Sequence, residues 1–146
     1  MVTTIVFFMA ILTEYRRVFV DTSAWYALID RGDPDHRPVV AQLNAHRGRL
    51  VTSNYIFDET LTLLRYRLGF EPAFRFGEQL RNTRLAYLQR ISQQDEEAAW
   101  NIFAQYQDQS LSHTDCTSFS LMQRLKLTTA IALDNDFHLF GFQTLP

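Results

Sequence analysis

Four carboxylates stand where packing alone would not put them. Asp21 directly follows Val18-Phe19-Val20, a compact β-type run, and Asp134 follows Ala130-Ile131-Ala132-Leu133 in the same way. Each is therefore expected at the carboxyl end of a strand. Glu59 lies three residues after Ile56 and four before Leu63, on the apolar face of a helical pattern that its neighbour Asp58 does not share. Asp115 lies four before Phe119 and seven before Met122, again on an inward face. An ionised carboxylate turned toward a core is costly unless it is paired or holds a metal. Each acid also has a plainer reading. Asp21 and Asp134 could be helix N-caps, and Glu59 could sit at a rim paired to an arginine. Asp115 could be the N3 member of a capping box, Ser112-His113-Thr114-Asp115. The conjunction is what points to chemistry. The acids are separated by 38, 56 and 19 residues (59−21, 115−59, 134−115), so only the fold can group them. Four carboxylates brought together repel and raise one another's pKa. A hard divalent cation such as Mg²⁺ relieves that repulsion, and such a site can activate water against a phosphodiester.

The elements that must position these acids alternate along the chain. Strand-like runs fall at Val18–Val20, Leu50–Thr52, Leu85–Leu88 (the weakest), Thr129–Leu133 and Gln143–Leu145. Helical patterns lie between them, at about 22–30, 35–47, 54–68, 72–82, 93–106 and 114–126. This alternation predicts an α/β fold, a parallel sheet flanked by helices. In such sheets the ligand crevice lies outside the carboxyl ends of the strands, which is where the acids are expected.

Composition bounds the rest. The 146 residues fit one domain, 47% hydrophobic, and large enough to bury a real core. A single cysteine, Cys116, excludes an internal disulfide framework and a multi-cysteine zinc site, and makes a reducing cytoplasm the expected setting. Ile5–Leu12 is an apolar run of eight residues, far short of the roughly 20 needed to span a membrane. It lacks the flanks of a signal peptide. Residues 1–15 read as a leader or N-terminal extension, with Met9 as an alternative start, and residues 16–146 as the domain. His36, His46 and His138 lack metal-ligand spacing and are expected at the surface, and His113 as a capping or surface residue.

The acids lie within four ordered motifs. Val18-Phe19-Val20-Asp21-Thr22-Ser23-Ala24-Trp25 resembles the opening of a PIN domain. Thr52-Ser53-Asn54-Tyr55-Ile56-Phe57-Asp58-Glu59 resembles its second motif, and Ser112-His113-Thr114-Asp115-Cys116 its third. Thr129–Asp136 with Phe137, Gly141 and Phe142 resembles the closing one. The nearest likeness is to the VapC-like ribonuclease toxins of type II toxin–antitoxin pairs. The resemblance implies a Rossmann-like sheet and a Mg²⁺- or Mn²⁺-dependent endoribonuclease. It assigns Asp21, Glu59, Asp115 and Asp134 as catalytic, metal-binding acids, with Asp136 as the alternative fourth. It also implies a homodimer held off by a small antitoxin protein. Where the family often has a hydroxyl two residues before its fourth acid, this chain has Ala132, so Thr22 or Ser23 would supply it.

Charge supports an RNA partner despite a net −2. Of fourteen cationic residues thirteen are arginine, and the segment from Arg65 to Arg90 carries six of them against Glu71 and Glu78. Arginine's planar fork suits phosphate. Arg65, Arg75 and Arg81, with Thr22 and Ser23, are the candidate RNA contacts; an ordinary solvated face with Arg–Glu pairs is the alternative. Trp25, Tyr26 and Leu28, and later Trp100, Phe103 and Tyr106, read as core or dimer packing or as a groove for an antitoxin helix. Two other readings remain open: an inactive PIN-like RNA-binding or regulatory module, and a PIN nuclease of RNA processing without an antitoxin. An aspartyl-phosphate phosphatase is disfavoured, since Ser23 stands where its second Asp belongs and Lys126 is the only lysine.

Overall fold

The structure, a computed structural model, describes residues 17–82 and 85–145. The proposed leader, its apolar run and Met9 lie outside the described residues, as does Arg84. In chain order the elements are β1 (Val18–Val20), α1 (Thr22–Ile29), α2 (His36–Ala45), β2 (Leu50–Ser53), α3 (Asn54–Arg67) and α4 (Phe70–Asn82). They continue with β3 (Tyr87–Gln89), α5 (Gln93–Gln105), α6 (His113–Leu125), β4 (Thr129–Ile131), α7 (Asp136–Leu139) and β5 (Gln143–Leu145).

The five strands form one sheet in the order β3-β2-β1-β4-β5, every neighbouring pair parallel. The registers Phe19↔Val51 and Phe19↔Ala130 place β1 at the centre. The chain winds outward from β1 through β2 to β3, then returns to the other side of β1 for β4. The order therefore reverses between β1 and β4. In a sheet of this topology that switch point opens a crevice at the strands' carboxyl ends, and Asp21 and Asp134 follow β1 and β4 there.

Central strands covered on both faces are apolar throughout: Val18, Phe19 and Val20 are all buried. Trp25 of α1 is fully buried against Phe76 of α4. Its indole N–H donates to Thr52 Oγ1 (3.2 Å), whose hydroxyl donates to the Val20 carbonyl (3.0 Å). That relay fixes α1 against the ends of β1 and β2. Trp25 is thus core rather than part of an antitoxin groove, whereas Trp100 and Phe103, 61% and 42% exposed, are not core. On the other flank Asp95, buried at N3 of the α5 capping box, accepts from Arg124 Nε and Nη2 (2.7 and 2.8 Å), clamping α5 to α6.

Several boundaries differ from expectation for local reasons. Strand β2 runs on to Ser53, whose side chain caps α3 by accepting from Ile56 N–H. Helix α4 starts at Phe70 because Pro72 is tolerated in a first turn. Gly69, at φ +96°, makes the sharp exit from α3 that brings α4 back against it. Strand β4 stops at Ile131, so Asp134 stands in a bend three residues further on. His36 and His46 are half-buried rather than surface residues. The first places Nδ1 2.8 Å from the Ala27 carbonyl, and the Nε2 of the second is buried without a partner among the described residues.

Candidate active site

Asp21 is the N-cap of α1, with extended backbone (φ −85°, ψ 164°). Its amide N–H donates to the Ile131 carbonyl (3.0 Å), carrying the β1–β4 ladder one residue beyond the strands. Its Oδ2 accepts from the Ser23 amide (3.2 Å) and the Ser23 hydroxyl (2.8 Å). The same hydroxyl accepts from Leu133 N–H (3.0 Å). Ser23 therefore joins the end of β1 to the bend that carries Asp134. The neighbouring Thr22 donates its hydroxyl to Glu59 Oε2 (2.7 Å), tying α1 to α3.

Asp115 is the N3 residue of a complete capping box: its Oδ2 accepts from Ser112 N–H (2.8 Å) and Ser112 Oγ accepts from its amide (3.0 Å). Asp134 is exposed at the lip of the crevice, and Asp136, the first residue of α7, is half-buried beside it. The hydrogen bonds described to Asp21, Glu59 and Asp115 thus fall on one oxygen of each carboxylate.

Electrostatics draw these residues into one group. Asp21, 3% exposed, has its pKa raised from 3.8 to about 6. Burial is the main cause, opposed by the Ser23 hydrogen bonds and reinforced by the charges of Asp115 and Asp134. Burial likewise raises Glu59, against the Thr22 hydrogen bond, with Asp115, Asp134 and Asp58 adding to the rise. Asp134 is raised by partial burial of its carboxyl, then by Asp115 and Asp136. The charges of Asp115 and Asp134 therefore bear on both Asp21 and Glu59, and Asp136 bears on Asp134. The charges that bear on them are carboxylates. Burial also pushes the Cys116 thiol up to about 11, helped by Asp115, so it is a core thiol and not a nucleophile.

The candidate arginines are engaged elsewhere or exposed, whereas Thr22 and Ser23 touch the acids themselves. Arg65 lies over the Phe70 ring (5.9 Å), Arg75 is paired with Glu71 (2.8 Å), and Arg81 is exposed on α4. Thr22 and Ser23 spend their hydroxyls on Glu59 and Asp21. The link between Thr22 and Glu59 spans 37 residues, which no local pattern could reveal.

The donor set suits a hard divalent cation: carboxylate oxygens only, mutually repelling, with charge to neutralise. Among the described residues no three Asp, Glu, His or Cys side chains are gathered closely enough to enclose an ion as they stand.

Fold and motifs agree with what the chain is similar to. The PIN domain pattern matches residues 18–143, and the chain belongs to the PIN-domain family. Its relatives are VapC ribonucleases. The 23S rRNA-specific endonuclease VapC20 of Mycobacterium tuberculosis is 32% identical over 125 residues, covering 86% of this chain and 95% of the relative. The VapC ribonuclease of Archaeoglobus fulgidus is 30% identical, over 82% and 78% of the two chains. The crystal structure of M. tuberculosis VapC20, described as a Sarcin-Ricin loop cleaving toxin, superposes with a TM-score of 0.81 over the same 86% and 95%. FitAcB from Neisseria gonorrhoeae, at 16% identity and a TM-score of 0.67 over 88% and 96%, shares the fold.

Proposed function

We propose that this protein is a metal-dependent endoribonuclease, the toxin of a toxin–antitoxin pair, and that Asp21, Glu59, Asp115 and Asp134 are its catalytic acids. The observation that carries the reading is their electrostatic convergence at the switch point of a parallel sheet. Asp21 and Asp115 would hold Mg²⁺ or Mn²⁺ directly, with Glu59, Asp134 and the more distant Asp136 around it. The ion would make bound water more acidic and stabilise charge on the phosphodiester. Glu59 is the acceptor for the attacking water's proton: its raised pKa strengthens it as a base, and Thr22 holds one of its oxygens so that the other is presented. Ser23 keeps Asp21 and the Asp134 bend in register.

An apolar groove on the surface supports a protein partner. Leu61, Tyr66, Phe70 and Phe74 line an apolar groove of about 520 Å³ between α3 and α4, with Tyr66 86% exposed. An amphipathic antitoxin helix would fit such a groove. A homodimer is the expected assembly. Among the described residues no helix is long and apolar enough to cross a membrane.

The test is cleavage of a structured RNA with and without Mg²⁺. Cleavage that survives EDTA, or that is undiminished in Asp21→Asn, would refute the metal mechanism.

A further inference from the structure

A chain of aromatic rings leads away from the acids. Tyr55 lies one helical turn before Glu59 on α3, and His113 two residues before Asp115 at the start of α6. Their ring centroids are 6.3 Å apart. His113 in turn meets Phe103 of α5 edge-on at 6.3 Å, and Phe103 stacks on Trp100 at 5.8 Å with 26° between the planes. Tyr55 also donates its hydroxyl to Glu96 of α5, fixing α3 to that helix. The row ends in an open groove of about 680 Å³ lined by Gln93, Glu96, Glu97, Trp100, Asn101 and His113.

The lining says what would bind there. Trp100 presents a large exposed ring to the groove, with the exposed Phe103 stacked on that ring and the His113 imidazole also in the lining, and the rest of the wall is carboxylate and amide. The buried core of a protein interface is depleted in Glu, and this wall offers a partner helix little to bury. It would repel a phosphate. It would accept hydrogen bonds from the amino groups of a base while the rings take its face, the usual way unpaired RNA is read.

We propose that Trp100 and Phe103 form a stacking site for an unpaired base of the RNA strand, a short way along it from the bond the acids address. Glu97 and Asn101 meet the edge of that base. The site deepens the ribonuclease reading and rests on it. It favours adenine, cytosine or guanine over uracil, which has no exocyclic amino group to give.

Two readouts test it in the full-length protein. Trp25 is fully buried, so quenching of solvent-exposed tryptophan emission reports Trp100. Short single-stranded RNA, added in EDTA so that nothing is cut, should quench it, and a uridine homopolymer should quench least. With Mg²⁺ present, Trp100→Ala should lower kcat/KM about ten-fold or more, chiefly through KM, while Trp100→Phe stays within about three-fold. Replacing substrate nucleotides one at a time by abasic ones should reveal one position that costs the wild type about the same and Trp100→Ala nothing further. Absence of quenching overturns the proposal. So does a Trp100→Ala variant that handles RNA normally but changes its oligomeric state or antitoxin binding, which would make the face a protein interface. If the wild type cleaves no RNA, the ribonuclease reading fails, while quenching still decides this one.

Discussion

Neutralising Asp21 should abolish cleavage and also stabilise the metal-free protein at neutral pH. The folded state holds the Asp21 proton more tightly than the unfolded chain does, with a pKa of about 6 against 3.8. The stability this contributes is fully present below about pH 3.8 and is lost as pH rises through about 6. At about 1.4 kcal/mol per tenfold change in proton affinity, the ionised buried carboxylate costs the native state roughly 2–4 kcal/mol at pH 7.5. Asn has the same shape, and its amide oxygen can still accept from both Ser23 donors. Asp21→Asn should therefore raise the Tm in EDTA by roughly 5–10 °C at pH 7.5, and by almost nothing at pH 4. Added Mg²⁺ should offset the same penalty in the wild type, by about 2.7 kcal/mol at a hundred times its Kd, and do little for the variant. Calorimetry at the two pH values, with and without Mg²⁺, reads all of this. If Asp21→Asn were less stable than the wild type by the same margin at both, Asp21 would be only a helix cap, with no penalty for a buried charge to relieve.

Thr22→Val removes the hydroxyl that lowers the Glu59 pKa, so the acidic limb of the pH–rate profile should move to higher pH, with kcat down about ten-fold, the scale of one hydrogen bond to a charged group; an unmoved limb would separate Glu59 from proton transfer. Asp95→Ala leaves Arg124 without its partner and should cost about 3 kcal/mol in urea melts at pH 7 while cleavage at low temperature persists. Because Arg124 holds the Asp95 carboxyl below the usual carboxylate range, that difference should shrink as pH falls through the folded pKa. Exchanging Arg75 and Arg81 together for Gln should flatten the log–log salt dependence of RNA binding by up to about 1.4 if both touch single-strand phosphates; an unchanged slope would leave Arg75 to its exposed pair with Glu71.

Much of the fold was legible because its signals are short-range. The run Val18–Val20 and the helical spacing from Asn54 to Arg67 need no distant partner to be recognised, and both match the observed elements. Legibility failed where tertiary contact decided the outcome. Nothing in Thr129–Leu133 shows that the strand ends at Ile131, the last residue in register with β1 and β5. Nothing in the spacing of Trp25 and Trp100 distinguishes them, yet one is sealed beneath α4 and the other lies open on α5. Asp95 drew no notice in the sequence because its partner is 29 residues away.

The acids show why a capping role does not decide against the proposed site role: the two are compatible. Asp21 is an N-cap, and Asp115 completes a capping box. Both roles use Oδ2. A carboxylate has two oxygens and accepts at both, so capping fixes the side chain's orientation with one and points the other where the fold directs it. Glu59 follows the same division, with Thr22 in place of a backbone amide. A helix start at the carboxyl end of a parallel strand would thus be an economical mount for the proposed catalytic acids, since the donors that hold them are already needed to end the helix. The arrangement also explains the misleading average charge. A net −2 counts these acids as ordinary surface charge. Asp21, Glu59 and Asp134 have raised pKa values, first through burial and then through neighbouring carboxylate charge, both of which a cation would relieve.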